Sequence, residues 1–324
     1  MLNTIWLVIP CYNEREVLPE TSKQLQGIME DLIRKEKISK ESRIAFVNDG
    51  SRDETWEMIA GLHRENPLFV GINLAHNRGH QNALFAGLMT AKEYADAAIS
   101  LDADLQDDVA AIEQFIDKFL EGKDIVYGVR STRETDTHFK RGTAHAFYKL
   151  MNAMGADTLE DHADYRLMSK RALEALSEYG EVNLFLRGIV PTIGYETDVV
   201  YYKRHERFAG ESKYPLKKML AFAVEGITSF SIRPIRMITG LGVLLFSVSV
   251  FLLVYFLVLW GLGHTVAGWT TIVISVWGIG GLQLLALGVI GEYIGKTYLE
   301  VKHRPRYQIE SVLYQKEECK KEEE

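Results

Sequence analysis

Four carboxylates and an amide crowd one short stretch: Asp102, Asp104, Gln106, Asp107 and Asp108, in the run I-S-L-D-A-D-L-Q-D-D of Ile99–Asp108. The apolar residues Ala97–Leu101 lead into it and predict a short buried strand. Side chains two apart on an extended chain share a face, which predicts that Asp102 and Asp104 point the same way. Two like charges that close are costly unless a cation sits between them. Oxygen ligands suit a hard divalent ion, Mg²⁺ or Mn²⁺, and such ions usually hold substrate phosphates too. The simpler alternative is a solvated acidic turn before a helix over Val109–Leu120, with Asp107 or Asp108 as its cap.

The elements that must position this cluster follow from the apolar pattern. Ile5–Pro10 is an unbroken apolar run, as expected of a parallel strand covered on both faces, and it ends in the polar loop Cys11–Glu14. A helix is predicted from about Glu16 to Lys35, then a strand over Arg43–Asn48 that ends in D-G-S-R-D, Asp49–Asp53. Next come a strand over Leu68–Leu74, the segment Ala75–Gln81 and a small-residue helix through Lys92. Beyond the acidic stretch and its helix lies a strand over Asp124–Gly128. Strands and helices alternating in this way predict an α/β, Rossmann-like, doubly wound parallel sheet. Ligands of such sheets bind beyond the carboxyl ends of the strands. Tyr12–Glu14, Asp49, His80-Gln81 and Asp102–Gln106 all fall at such ends. No G-x-G-x-x-G follows the first strand and no G-x-x-x-x-G-K-[ST] occurs, which argues against a dinucleotide fold or a P-loop. A nucleotide could still bind with its phosphates held through a metal.

The totals narrow the class further. At 324 residues the chain predicts two regions, and its formal charge of -7 argues against nucleic acid as a partner. Cys11 and Cys319 stand in unlike contexts, so no disulfide framework is implied and a reducing compartment fits. Ile5–Pro10 is too short for a cleavable signal and lacks a charged region before it. Mean hydropathy is -0.06, but the average hides a polar first two-thirds and an apolar stretch after Arg236. Met237–Trp260 and Trp269–Ile290 are each long enough to cross a bilayer, which takes about 20 apolar residues. No Lys or Arg occurs from Met237 through Gly295, whereas Arg233, Arg236, Lys296, Lys302, Arg304 and Arg306 flank the pair. That asymmetry places both flanks in the cytoplasm and the link Gly261–Gly268 outside, with Trp260 and Trp269 at the interface. Tyr214–Ser231 has the spacing of an amphipathic helix, which suits a core helix or one lying in the membrane surface, and its position just before the apolar stretch favours the membrane. The predicted organisation is a catalytic domain over 1–213, an interfacial region over 214–235, a two-helix hairpin over 236–295 and a cytoplasmic tail over 296–324. The charge run Lys316–Glu324 closes the tail.

Eight segments in order carry a resemblance: V-I-P-C-Y-N-E (Val8–Glu14), V-N-D-G-S-R-D (Val47–Asp53), N-R-G-H-Q (Asn77–Gln81), D-A-D-L-Q-D (Asp102–Asp107), Y-G-V-R (Tyr127–Arg130), F-K-R (Phe139–Arg141), A-D-Y-R-L-M (Ala163–Met168) and A-G-E-S-K-Y (Ala209–Tyr214). The chain resembles glycosyltransferase family 2, in particular the membrane-anchored polyprenyl-phosphate glycosyltransferases such as the bactoprenol glucosyltransferases and, more distantly, the dolichol-phosphate mannose synthases. The resemblance implies a nucleotide-diphospho-sugar transferase (GT-A type) domain. It implies an inverting, metal-dependent transfer from UDP-glucose or UDP-N-acetylglucosamine to polyprenyl (undecaprenyl) phosphate for cell-envelope glycosylation. Pro10, Tyr12, Asn13, Glu14, Asp49, His80, Gln81, Asp102, Ala103 and Asp104 would hold the donor, and Asp102, Asp104 and Gln106 the metal. Asp164, Asp104 and Arg130 would be catalytic, with Asp164 orienting the acceptor or taking a residual proton.

Arg141, Arg204, Arg207, Ser212 and Lys213 would hold the acceptor phosphate, to which the planar fork of arginine is suited. The charged segment Ser131–Lys140 reads either as a loop that orders on substrate binding or as a plain surface loop, followed by a helix from Lys140 to about Met154. Taken singly, these residues have plainer readings: Asn13 and Asp49 as turn formers, Tyr12 as packing, His80 and Gln81 as a helix start, Asp164 as a salt bridge to Arg166. The family usually has an aromatic where Gly79 stands. The implied setting is the inner (plasma) membrane, with a homo-oligomer, a flippase and a downstream glycosyltransferase as partners. Two rival functions are a processive polysaccharide synthase and a non-catalytic nucleotide-binding partner of a lipid flippase.

Overall fold

The computed structural model describes residues 2–130, 162–182, 184–203, 233–262 and 268–314. Arg141, Arg204, Arg207, Ser212 and Lys213 lie outside the described residues. So do the loop Ser131–Lys140, the helix expected from Lys140 to Met154, the interfacial helix Tyr214–Ser231 and the run Lys316–Glu324. The chain divides into two compact units: Met1–Gly142, Leu159–Lys213 and Arg304–Glu324 form one, and Thr143–Thr158 with Tyr214–His303 the other.

Within the first unit an eight-stranded sheet carries the order β7-β5-β6-β4-β1-β2-β3-β8. The strands are β1 Ile5–Cys11, β2 Arg43–Asn48, β3 Phe69–Leu74, β4 Ala97–Ser100, β5 Ile125–Arg130, β6 His162–Ser169, β7 Thr197–Tyr202 and β8 Ile309–Leu313. The helices are α1 Leu18–Arg34, α2 Thr55–Glu65, α3 His80–Tyr94, α4 Ala111–Leu120, α5 Lys170–Ser177 and α6 Leu186–Thr192. Strands β4-β1-β2-β3 are mutually parallel, as their continuous apolar runs predict. The sheet as a whole is mixed, however, which corrects the all-parallel expectation. β6 runs antiparallel to both β4 and β5, and β8 runs antiparallel to β3. In β6, Tyr165 and Leu167 join the core on one face while Asp164 and Arg166 alternate with them, the period-two pattern of an antiparallel strand. β8 lies within what reads as a cytoplasmic tail, so the first unit takes its last strand from beyond residue 296.

The two faces of the central strands are covered by helices of different character. On one, Ile5, Leu7 and Ile9 meet Leu18, Leu25, Met29 and Leu32 of α1 and Ile112, Phe115 and Ile116 of α4. Full burial of each such side chain is worth about 1.5–3 kcal/mol. The other face takes α3, whose buried Ala83, Ala86, Gly87 and Ala91 let it lie close to the sheet. A Cβ on Gly87 would stand 2.4 Å from Val8 Cγ1 and 2.7 Å from Val47 Cγ2. The second unit contains two long helices, α7 Arg233–Gly261 and α8 Trp269–Val301, which include Met237–Trp260 and Trp269–Ile290. The second runs past residue 295, the boundary expected from the apolar run. Among the described residues no helix is long and apolar enough to cross a membrane, and a spanning role for this pair rests on the sequence.

The close seat of α3 gives a stability test. Gly87→Ala should destabilise the full chain by about 1–3 kcal/mol through overpacking against Val8 and Val47. The measurement is the denaturant midpoint, with the slope of the transition unchanged.

Candidate active site

The acidic segment leaves the sheet sooner than its sequence predicts. β4 ends at Ser100, and the chain turns at Ala103 and Asp104 before bending at Leu105, which sits at φ 54. Asp104 therefore lies on a turn that Asp102 leads into, and the shared-face argument for an extended strand does not carry across them. Thr21 Oγ1 on α1 donates to the buried Ala103 carbonyl at 2.7 Å, and Gln106 N donates to Asp104 Oδ1 at 3.2 Å. Ala103 thus meets the scaffold through its backbone. Asp108 accepts from Ala110 N at 2.9 Å just ahead of α4, the role expected of a helix-start carboxylate. Asp107 instead turns inward and is buried.

Beside this turn, Asp164 on β6 forms a hub of charge. Its carboxylate, only 7% exposed, takes Arg166 Nη2 at 2.6 Å, and Arg187 Nε and Nη2 at 3.2 Å on its two oxygens. Gln81 Nε2 donates to Asp164 Oδ2 at 3.2 Å, while Gln81 Oε1 accepts from Leu186 N at 3.1 Å. His80 Nε2 lies 3.6 Å from both Asp164 Oδ2 and Asp102 Oδ1. The starts of α3 and α6 thereby converge on the carboxyl ends of β4 and β1. Sequence reasoning named Asp164, His80, Gln81 and Asp102, and the structure brings these four together. It passed over Arg187, whose signal was a lone cation inside the apolar run Leu184–Val190.

The charges of the hub set its protonation. Burial alone would raise the Asp164 carboxyl, but the neighbouring His80 ring and the Arg187 and Arg166 guanidinia hold it well below the usual range. For His80, burial opposes the charged form, yet the neighbouring carboxylates of Asp164 and Asp102 raise its pKa. Asp102 is pushed up to about 6 by burial and by Asp164, Asp107 and Asp104, against the pull of His80. Its side chain keeps 39% of its surface accessible, so solvent tempers that shift. A carboxylate so tightly paired as Asp164 is a poor proton acceptor at neutral pH, and orientation of Arg187 and His80 is the role its contacts support.

The remaining donor-side residues organise loops. Asp49 is buried and accepts from the Arg78 and Gly79 amides at 2.6 and 2.9 Å, so its contacts in this structure are those of a loop anchor. Burial raises its carboxyl despite those bonds. Gly79 sits at φ 85, a backbone state that L side chains rarely adopt. Asn13 (φ 56) donates its amide to Ser51 Oγ at 3.0 Å and accepts from Arg52 N at 2.8 Å; Glu14 N donates to Thr55 Oγ1 at 2.9 Å. Tyr12 is exposed and Pro10 is buried within β1. An open groove of about 460 Å³ is lined by Asn13, Glu14, Arg15, Glu16, Val17, Arg52 and Asp53. Asp102, Asp104 and Asp164 are not part of its lining. Arg130 pairs with Asp107 at 3.3 Å and Tyr202 at 3.3 Å, and no described contact joins it to Asp164.

The acidic turn suits a divalent ion by its donor chemistry. Among the described residues no group of three or more His, Cys, Asp and Glu is arranged to hold a metal. Asp102 and Asp104 would supply part of a coordination sphere that phosphate oxygens complete, the usual arrangement for Mg²⁺. The surplus negative charge that raises Asp102 fits that role.

Asp164→Asn should strand the fully buried Arg166 and cost about 3–5 kcal/mol of stability. The depressed carboxyl stabilises the fold above the ordinary carboxylate pKa, a contribution lost as pH falls through its folded value. Denaturation profiles from pH 7 downward should therefore be flatter in the variant. The His80 pKa, followed by NMR, should fall toward its ordinary value.

Relatives place this arrangement. The model for glycosyl transferase family 2 matches residues 6–177. The uncharacterized glycosyltransferase YkoT of Bacillus subtilis (strain 168) is 54% identical over 308 residues, covering 95% of this chain and 91% of that protein. The bactoprenol glucosyl transferase of Shigella phage SfV is 41% identical over 310 residues, 95% of this chain and 98% of that protein. A prophage bactoprenol glucosyl transferase homolog of Escherichia coli (strain K12) is 40% identical over 311 residues, 95% and 99% of the two chains. The chain belongs to glycosyltransferase family 2, and the protein is an enzyme that transfers sugars.

Proposed function

We propose that the enzyme transfers a sugar from a nucleotide-sugar, UDP-glucose or UDP-N-acetylglucosamine, to the phosphate of a membrane polyprenyl (undecaprenyl) phosphate. The product is a lipid-linked sugar for cell-envelope glycosylation. The observation that carries this reading is the near full-length identity with bactoprenol glucosyl transferases. It is supported by the cluster of His80, Asp102, Asp164 and Arg187 at the carboxyl ends of the strands.

A phosphate monoester has a second pKa near 6, so the acceptor is already anionic at neutral pH and needs no strong base. Asp164, paired with Arg166 and Arg187 and beside His80, would orient Arg187 and His80 next to the turn that would hold the nucleoside diphosphate. Mg²⁺ or Mn²⁺ held by Asp102, Asp104 and Gln106 would neutralise charge on the leaving diphosphate. Arg141, Arg204, Arg207, Ser212 and Lys213 are assigned to the acceptor phosphate from the sequence, and Arg130 to the catalytic set. A single in-line displacement on this plan inverts the anomeric centre.

We place the enzyme at the inner (plasma) membrane, with α7 and α8 spanning and the catalytic domain and both termini cytoplasmic. The cation-free interval supports this, as do Phe251 and Leu284, which are 70% and 72% exposed on the two helices. Exposed apolar surface on that scale marks a contact with lipid or another chain. A homo-oligomer, a flippase and a downstream glycosyltransferase are the proposed partners.

Purified full-length protein should convert polyprenyl phosphate to a singly glycosylated lipid, identified by mass spectrometry. A growing polymer would mark a processive synthase, and no turnover of any donor would mark a non-catalytic subunit. Chelation or Asp104→Asn should abolish transfer; full activity in excess chelator would refute the metal assignment. Arg204→Ala or Arg207→Ala should lower transfer to lipid by roughly one to two orders of magnitude, the loss of a charge-assisted hydrogen bond. UDP affinity by calorimetry should be retained in both.

A further inference from the structure

Phenol hydroxyls tie down the far end of the acidic segment. Tyr202, the last residue of β7, donates to Asp107 Oδ1 at 2.6 Å and accepts from Arg130 Nε at 3.3 Å. Arg130 Nη2 reaches the same Asp107 oxygen at 3.3 Å, which closes a ring of three contacts. Tyr165 donates to the Asp108 carbonyl at 3.1 Å and lies edge-on to Tyr202, with ring centroids 5.2 Å apart. Asp107 and Tyr202 are both buried, where losing a partner costs most. A phenol can donate to a carboxylate and accept from a guanidinium at once; a phenyl ring of the same shape can do neither.

The ring sits at a junction. Arg130 and Tyr202 are the last register pair of the parallel strands β5 and β7. Beyond them the chain continues toward Arg141 on one side and toward Arg204 and Arg207 on the other. Asp107 is close enough for its charge to raise the Asp102 carboxyl. Thr21 holds the near end of the same segment through Ala103, so the turn bearing Asp102 and Asp104 is strung between two fastenings.

We propose that Tyr202 is a positioning residue: shared between Asp107 and Arg130, its hydroxyl holds the turn carrying Asp102 and Asp104 against the ends of β5 and β7. The proposal rests on the reading of that turn as the donor site. Without the hydroxyl, Asp107 keeps Arg130 alone, the far end of the segment loosens, and capture of the nucleotide-sugar suffers ahead of capture of the lipid.

The test uses full-length protein with Tyr202→Phe, which keeps the ring packing, and Tyr201→Phe at the neighbouring, exposed residue as control. Hydrogen exchange over residues 101–110 should quicken about tenfold in Tyr202→Phe, while protection of β2 stays as in the parent. For the nucleotide-sugar, kcat/KM should fall about tenfold and the lipid KM should stay within about twofold. Combined with Asp107→Asn, Tyr202→Phe should add no further loss, because both act through one contact. Unchanged exchange, exchange raised equally throughout the domain, or donor and lipid constants worsening together would each overturn the proposal. If the parent protein transfers nothing to polyprenyl phosphate, the acceptor assignment fails on its own, and the exchange result still decides the role of Tyr202.

Discussion

A buried carboxylate must be compensated, and much of the site follows from how this chain compensates Asp164. A lone charge in a protein interior costs several kcal/mol even after relaxation. Here Arg166 answers from the same strand, Arg187 from the start of α6, and Gln81 and His80 from the start of α3. The partners come from β6, α6 and α3, so the ion cluster ties together three elements far apart in the sequence. Placing β6 between β4 and β5 is what brings Asp164 to the carboxyl ends of the parallel strands. Those partners hold the Asp164 carboxyl well below the usual carboxylate range despite its burial, with Arg166 and Arg187 gathered around it.

The loops around that hub are held by local bonds to side chains of the scaffold. Thr21 fixes the Ala103 carbonyl, Ser51 and Thr55 take the Asn13 and Glu14 amides, and Asp49 takes those of Arg78 and Gly79. Residues that read as ligands in the sequence are thus partly structural: Asp49 spends hydrogen bonds on the loop that delivers His80. The same loop needs Gly79 at positive φ, so the path from Asp49 to His80 is determined by backbone geometry before any ligand arrives. Burial, with the charges of Glu14 and Asp53, pushes the Cys11 thiol well up, which leaves it without a thiolate for chemistry at neutral pH.

The parallel core was legible because its signal is local. Arg43–Asn48 is the strand its apolar pattern predicts, and β1, β3, β4 and β5 start or end within two residues of expectation. Polar loops at strand ends follow from the fold class, which is why His80, Gln81 and Asp102 could be named from it, whereas Asp164 was named from the family resemblance. What escaped were features fixed by distant contacts. The antiparallel insertion of β6 depends on pairing with β4 and β5, and β8 is a five-residue strand whose register only β3 defines. Arg187 acquires its meaning from a carboxylate 23 positions earlier, brought near by the sheet. The turn at Asp102 and Asp104 was misread as extended chain because the apolar run of β4 ends without a Gly or Pro to mark the stop.

The placement of β8 has a consequence for how the chain becomes a protein. Ile309–Leu313 completes the sheet beside β3, and Glu310 gives the Asn73 amide its partner at 2.8 Å, with Asn73 in turn accepting from Asn48 at 2.7 Å. The two long helices are therefore an insertion, in sequence, between the seventh and eighth strands of one sheet. A ribosome making this chain from the amino terminus delivers β3 more than two hundred residues before the strand that covers it. During that interval β3 is an open sheet edge with a polar amide pair behind it, the kind of edge that invites foreign strands. Translation order thus makes the last few dozen residues the closing step of the catalytic domain, and a nascent chain stalled within the helices carries an enzyme whose sheet is still open on one side.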